Sequence, residues 1–330
     1  MRNYLIAIAL AAVTTAAGAQ QTWQSVSEHV TFVQQSEKLR FYDSNQALIQ
    51  GQQCALLVDA PGEFAQTQAF IDVLKDKLTA PLCYLLVSHA HDDHLLGLAM
   101  VQQHFPDAQL IVHTHLGEAF HRAHQQLNER LDGFAKSIAL SEQRMAQLPE
   151  DEQGQWQEKI TRAKARLANW QDLSFKEPKH IVGSTESFDL GGVAVQVQPL
   201  SAHTEGDLVV LVETDKVLVG ADIVDMLPYP GEGNFASWIS ALQTFSALPL
   251  EAILPGHGAL MNKTQLAQPS QWLKAIQTHV QENPDSDLAS LVGSFPKQFE
   301  PTEEGLQKRA YAMFLEAGIK RAMHIQREAN

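Results

Sequence analysis

The stretch "VSHAHDDHLLG" at positions 87–97 packs three histidines and two aspartates into six consecutive residues, directly after an apolar run. Imidazole and carboxylate donors in one place suit zinc or another borderline first-row cation. Residues two apart at a strand end face the same way, so His89 and His91 can reach one ion. Where the chain turns toward a helix, Asp93 and His94 are aimed elsewhere and suit a second ion. The stretch therefore starts two sites and closes neither. Three metal-capable residues stand in similar settings further along. His203 follows the strand-like "VAVQVQPLSA", Asp222 follows "KVLVGA", and His257 follows "LEAILPG" between two glycines.

The elements that must position these residues are legible in outline. From Trp23 to about Leu86 the pattern is mostly strand, through "VTFVQQ", "LRFYDSNQALIQ" and "QCALLVDA". "GEFAQTQAFIDVLKDKL" has helical spacing at Phe64, Phe70, Ile71, Leu74 and Leu78. "LCYLLVSH" is a continuous apolar strand, as burial on both faces requires. A helix over about 95–105 follows, then the strand "AQLIVHTH". Residues 117–172, rich in Gln, Glu, Ala, Arg and Leu, predict a helical insertion of two or three helices. Strands resume in "SFDLGGVAVQVQPLSAH", "DLVVLVETDKVLVGAD" and "LEAILPGHG", and 266–327 is helical again. Strand-and-helix sets occurring twice suit an α/β fold of two packed sheets with helices outside.

The first nineteen residues carry a basic Arg2, an apolar stretch and the small residues Ala17-Gly18-Ala19, the layout of a secretory signal peptide. The expectation is an exported protein, periplasmic or secreted, with no membrane anchor after cleavage. A formal charge of −14 argues against a nucleic-acid partner. Oligomeric state is not legible. Cys54 and Cys83 each lie about five residues before the end of an apolar strand. Two buried free thiols are the expectation, because bridging adjacent strands strains the geometry; a disulfide is the alternative.

The set H-x-H-x-D-H, "AHT", "GAD" and "PGHG", in this order, resembles the metallo-β-lactamase superfamily over roughly residues 25–262. The resemblance implies the αββα sandwich of that family over 20–265, with 266–330 a helical extension packed on the same domain. It places His89, His91 and His203 on one metal and Asp93, His94 and His257 on the other, with Asp222 bridging. The implied cofactor is two Zn²⁺, in preference to iron or manganese. The implied function is a zinc-dependent hydrolase of a small-molecule substrate, in which a metal-bridging hydroxide cleaves an ester, lactone, thioester or amide, with Asp93 catalytic as well as ligating. β-Lactam hydrolysis is a minor activity in this reading, because true β-lactamases carry Cys or Ser where Asp222 stands. The bridging aspartate resembles the branch of glyoxalase II, lactonases, phosphodiesterases and alkylsulfatases. "GADIVDMLPYPGEGNFASWISAL" and "SAHTEGDLVVL" resemble exported zinc hydrolases of sulfur-oxidation and quinoprotein gene clusters. A mononuclear-iron enzyme like the persulfide dioxygenases, and a non-catalytic metal- or ligand-binding protein, are the alternative readings.

Several other residues bear on the site. Asp59, closing "LLVDAPG", matches the family's early strand-end aspartate and is expected to bond to the ligand loop. Tyr229 in "LPYPG" is expected to overhang the metals and meet substrate or a developing oxyanion. Asp207 and Glu205 are candidates to orient neighbours. His113, His115, His121 and His124 read as solvated or supporting groups more than as a second metal site. Asp92 reads as a spacer facing away, and Trp156, Trp170 or Met145 are candidates to wall the cleft.

Overall fold

The computed structural model describes residues 21–302 and 304–328; the expected signal peptide lies outside the described residues. Short apolar runs form the strands β1 (Thr22–Ser25), β2 (Val30–Gln34), β3 (Gln46–Gln50), β4 (Ala55–Val58), β5 (Leu82–Leu86), β6 (Gln109–His113) and β7 (His180–Val182). A second set comprises β8 (Glu186–Asp189), β9 (Ala194–Leu200), β10 (Asp207–Val212), β11 (Val217–Ala221) and β12 (Ala252–Pro255). The first seven make one sheet in chain order, and the other five make a sheet in the order β12-β11-β10-β9-β8. Helices α1 (Phe64–Lys77), α2 (Asp92–Leu95), α3 (Leu98–His104), α4 (Leu116–Met145) and α5 (Glu150–Trp170) belong to the first half. Helices α6 (Phe235–Ala247), α7 (Ala267–Glu282), α8 (Leu288–Ser294) and α9 (Leu306–Glu328) belong to the second.

Alternation along each strand builds three apolar layers. Leu56 and Val58 of β4 join Leu208 and Val210 of β10 in the cluster between the sheets. Their neighbours Ala55 and Leu57 face outward onto Phe70, Ile71 and Leu74 of α1. Val209 and Leu211 face the opposite outer layer, onto Trp238, Leu242, Trp272 and Ile319. A strand buried on both faces must be apolar at every position, which is why β4, β10, β11 and β12 read as continuous runs. Helix, sheet, sheet, helix is the expected sandwich. The helices after β12 join the second outer layer, with α7 and α9 contributing Trp272, Leu273, Ile276, Leu315 and Ile319 to it.

Strands β4, β5, β6 and β7 run parallel, as do β11 and β12, while β9 and β10 pair antiparallel. The carboxyl ends of β4, β5, β6, β9, β11 and β12 consequently carry Asp59, His89, His115, His203, Asp222 and His257 just beyond them. The antiparallel β10 brings its amino end to the same level, with Asp207 opposite Leu200.

Three local expectations need correction. "LRFYDSN" is not strand: a 3-10 turn spans Glu37–Leu39, and the amides of Tyr42 and Asp43 bond back to the Leu39 carbonyl. The helix expected over 95–105 comes as α2 and α3, and Gly97 between them passes so close to the Pro61 carbonyl that a side chain would collide. Cys54 and Cys83 form a disulfide, with Cα atoms 5.5 Å apart. The β4–β5 register slips here, from Ala55↔Leu82 to Leu56↔Tyr84, and Cys83 falls in the slip, free of the ladder geometry that disfavours a bridge. The insertion is two helices, α4 and α5, packed on each other.

Candidate metal centre

The residues named from sequence converge in space. At one end, His89 Nε2 lies 3.0 Å and His203 Nε2 3.1 Å from His91 Nδ1. Asp222 Oδ2 stands 3.9 Å from His89 Nε2 and 3.5 Å from His203 Nε2. At the other end, His257 Nε2 is 3.1 Å from Asp93 Oδ2, and His94 Nε2 is 3.0 Å from Asp222 Oδ1. Ligand atoms of His89, His91, His203 and Asp222 all lie within 4.8 Å of one another, as do those of Asp93, His94 and His257. Asp222 thus faces both ends.

Backbone geometry at the strand ends produces this aim. Ala221 has φ 45° and Asp59 φ 62°, left-handed values that non-glycine residues seldom adopt outside functional sites. The β11–β12 register is irregular between Val219 and Ala221, so Asp222 turns out of the strand line. Gly256 passes against Asp222 Oδ1, where any side chain would collide. Asp207 holds the His203 loop, accepting from the amides of Ala202 and Thr204 and from the Thr204 hydroxyl.

The hydrogen-bond network fixes which nitrogens are bare. Ser88 Oγ donates to Asp59 Oδ2 at 2.7 Å, so it must accept from His89 Nδ1, 2.9 Å away. That leaves His89 Nε2 as a lone pair facing inward. His94 Nδ1 donates to the same Asp59 oxygen at 2.7 Å, which turns His94 Nε2 onto the Asp222 carboxylate, where a proton or a cation can sit between them. His94 Nε2 and Asp222 Oδ1 are buried and face only each other, 3.0 Å apart, while His203 Nδ1 is buried with no hydrogen-bond partner among the described residues. Ring nitrogens of His89, His203 and His91 turned on one another and on the Asp222 carboxylate, in a buried place, form a donor set for cations. The residues fit a dinuclear centre of borderline first-row ions.

Electrostatics distinguish the imidazoles one by one, and His91 is raised, against burial, by Glu232, Asp93 and Asp222. Burial, and then the neighbouring His94 and His91, hold His89 well below the ordinary imidazole value; burial drives His203 down to about 3. These imidazoles are neutral donors. Burial also opposes charge on His257, but Asp222 and Asp93 outweigh it and raise its pKa to about 10. His94 is likewise raised, against burial, by Asp222, Asp93 and Asp59. Positive charge is therefore favoured where three carboxylates meet two imidazoles, which is what a dication supplies.

The side chains of His91, Asp93 and His257 are 25%, 17% and 10% exposed, against 2% or less for His89, His94 and His203. Those three form the open edge. Tyr229 stands over it, its ring 6.2 Å from His91 and 6.4 Å from His203, backed by Phe314 at 5.3 Å. Asp59 takes its expected place beside the ligand loop.

Sequence reasoning missed other participants. Asp225 accepts from the His257 amide at 2.9 Å, and burial, with Asp222 nearby, raises its pKa to about 7. Its ligand atom groups with those of Asp222 and His257, and its spacing of three after Asp222 was the available signal. Glu232 Oε2 lies 3.7 Å from His91 Nε2. Asp92 is no idle spacer: it pairs with Arg130 of α4 at 2.9 Å. His113 and His115 are occupied locally, the His115 amide donating to His113 Nδ1 and the His115 ring meeting the Glu205 carbonyl. The side chains of His121 and His124 lie outside the described residues. Trp170 is core, packed on Phe64 and Phe134, and does not wall the cleft.

Known proteins agree with this geometry at the level of fold. A metallo-beta-lactamase from Pontibacter korlensis is 17% identical with a TM-score of 0.52, covering 77% of this chain and 99% of its own. The metallo-beta-lactamase FIM-1 from Pseudomonas aeruginosa, solved in its mono-zinc form, is 18% identical with a TM-score of 0.51, covering 76% of this chain and 93% of its own. The sec-alkylsulfatase Pisa1 from Pseudomonas sp. is 15% identical with a TM-score of 0.60; the match covers 91% of this chain but half of that one. No curated protein matches significantly. The family model of the metallo-beta-lactamase superfamily matches residues 39–257, more than half of the chain and all seven residues of the centre. The chain belongs to the metallo-beta-lactamase superfamily.

Proposed function

We propose that this chain is a dinuclear zinc hydrolase acting on an ester, lactone, thioester or amide of a small exported-compartment substrate. The observation that carries the reading is the pair of completed donor sets sharing Asp222, with bare nitrogens fixed by Asp59 and Ser88. Divalent ions held there would supply Lewis acidity, the chemistry that makes water a competent nucleophile near neutral pH. The chain's own residues do the rest. His89, His91 and His203 would hold one ion, and Asp93, His94 and His257 the other, with Asp222 facing both. Asp93, at the open edge, orients the nucleophile and carries a proton toward the leaving group. Tyr229 is kept protonated by burial and by Glu232, so its hydroxyl stays a donor for oxyanion or substrate. Neither cysteine is free to act as a nucleophile. A complete second donor set favours this reading over a mononuclear-iron enzyme.

The domain reading is one catalytic unit over 20–265, with the C-terminal helices packed on it after removal of a signal peptide at 1–19. The disulfide supports export to an oxidising compartment, periplasmic or extracellular. No helix among the described residues is long and apolar enough to cross a membrane.

The test is elemental analysis of the purified mature protein together with one substrate panel. That panel covers chromogenic cephalosporin, acyl lactones, thioesters, phosphodiesters and alkyl sulfates, the last prompted by the alkylsulfatase neighbour. About two zinc per chain and hydrolysis of at least one class are expected, with His89→Ala and Asp93→Ala losing metal and activity together. One iron in place of two zinc, or turnover by metal-free protein, overturns the reading.

A further inference from the structure

His257 sits in a loop with little stiffness of its own. Glycines flank it on both sides, and Gly258 adopts φ 88°, so the local backbone has more freedom than any other residue type would leave it. A ligand on such a loop needs an external brace. The structure places one directly beside it, in the segment between the 3-10 turn and β3.

Asn45 is 5% exposed, and its side chain uses every polar group it has. Its Nδ2 donates to the Pro255 carbonyl at 3.0 Å and to the Gly258 carbonyl at 2.9 Å. Its Oδ1 accepts from the Gln35 amide at 2.9 Å. Its backbone amide donates to the Gly256 carbonyl at 2.7 Å. Three carbonyls around His257 are thus held by one residue, while Asp225 holds the His257 amide from another direction. The neighbouring Ser44, fully buried, donates its hydroxyl to the Asp93 carbonyl at 3.0 Å. Ser44 therefore grips the backbone of Asp93, and Asn45 the residues on either side of His257, two ligands that belong to the same end of the centre. Neither residue hydrogen-bonds to His89, His91 or His203; their side chains go to Gln35, Asp93, Pro255 and Gly258.

We propose that Ser44 and Asn45 are positioning residues for one ion alone, the ion held by Asp93, His94 and His257. The proposal rests on the dinuclear reading above and adds to it that the two ions have separate supports. Asparagine suits the place because two donors and one acceptor are needed on one short side chain. An aspartate of the same shape would set oxygen against the Pro255 and Gly258 carbonyls. Partners that orient metal ligands are worth about 10–100-fold in affinity when removed.

The experiment titrates zinc into metal-free protein against a chromophoric chelator, comparing parent, Asn45→Asp and Ser44→Ala, with far-UV circular dichroism as the folding control. Expected is a parent taking up two equivalents, and an Asn45→Asp variant in which one equivalent binds at least about tenfold more weakly while the other stays within about threefold. Ser44→Ala should show the same asymmetry, smaller in size. If Asn45→Asp does not fold, Ser44→Ala decides by the same titration. Equal weakening of both equivalents, or weakening of neither, overturns the proposal. A parent binding fewer than two equivalents instead overturns the dinuclear reading, and this inference falls with it.

Discussion

One oxygen of Asp59 receives both the His94 ring and the Ser88 hydroxyl, and through Ser88 it fixes the His89 ring. The residue accepts a left-handed φ of 62° to do so, a conformation that aspartate tolerates better than most side chains. Asp59→Asn should therefore act on both ions, unlike the Ser44 and Asn45 changes. The amide offers N–H groups where His94 and Ser88 need an acceptor, which disturbs both imidazole tautomers. Expected is a 10–100-fold loss in affinity for each equivalent, read in the same chelator titration. At this scale the sequence was informative wherever a residue type carries its own chemistry. Seven histidines and aspartates after strand ends announced the centre. Ser44, Asn45 and Ser88 announced nothing, because serine and asparagine are ordinary turn residues until their partners, tens to hundreds of positions away, are known.

Between elements, the disulfide joins the starts of the parallel strands β4 and β5, whereas the ligands lie beyond their far ends. It closes a segment of separation 29 that contains all of α1. Replacing both cysteines by serine should cost about 3–4 kcal/mol on a loop-entropy account. Zinc stoichiometry should be unchanged, because no ligand touches the bridge. A denaturation midpoint and an elemental analysis check the two halves of that statement; loss of metal from the folded variant would tie the bridge to the centre. The strands themselves were readable because burial on both faces demands unbroken apolar runs. "LRFYDSN" misled because its aromatic residues imitate a strand while Asp43, accepting from the Glu63 amide, ties a turn. The disulfide was misjudged because a slip in register leaves no trace in composition.

Across the whole molecule, the two sheets are also fastened at a distance from the candidate metal centre. Asp215, in the β10–β11 turn, accepts from the Ser27 hydroxyl and the His29 amide and faces the His29 ring at 2.9 Å, just before β2. Burial opposes its charge, but the Ser27 and His29 bonds outweigh this and hold its carboxyl below the ordinary value of 3.8. A depressed folded pKa means stabilisation that is complete above the unfolded value, near pH 4, and is lost as pH falls through the folded one. Asp215→Asn should cost roughly 1–3 kcal/mol at pH 7, with the gap to the parent closing below about pH 4. Melting curves of both proteins from pH 3 to 7 check the sign; a gap that widens in acid would refute it. The layering was foreseeable from alternation, but this clamp was not, since its halves are 186 residues apart. One further contact matters beyond stability. Pro230 rests on Gly318 of α9, and Arg321 of α9 bonds the Gly233 carbonyl at 2.9 Å, so the loop bearing Tyr229 leans on a helix outside the family-matched region. The chain is in that sense modular. Its cluster of metal-capable side chains is written into the strand ends, while the loop bearing Tyr229 is propped by the tail, and one can diverge without the other being rewritten.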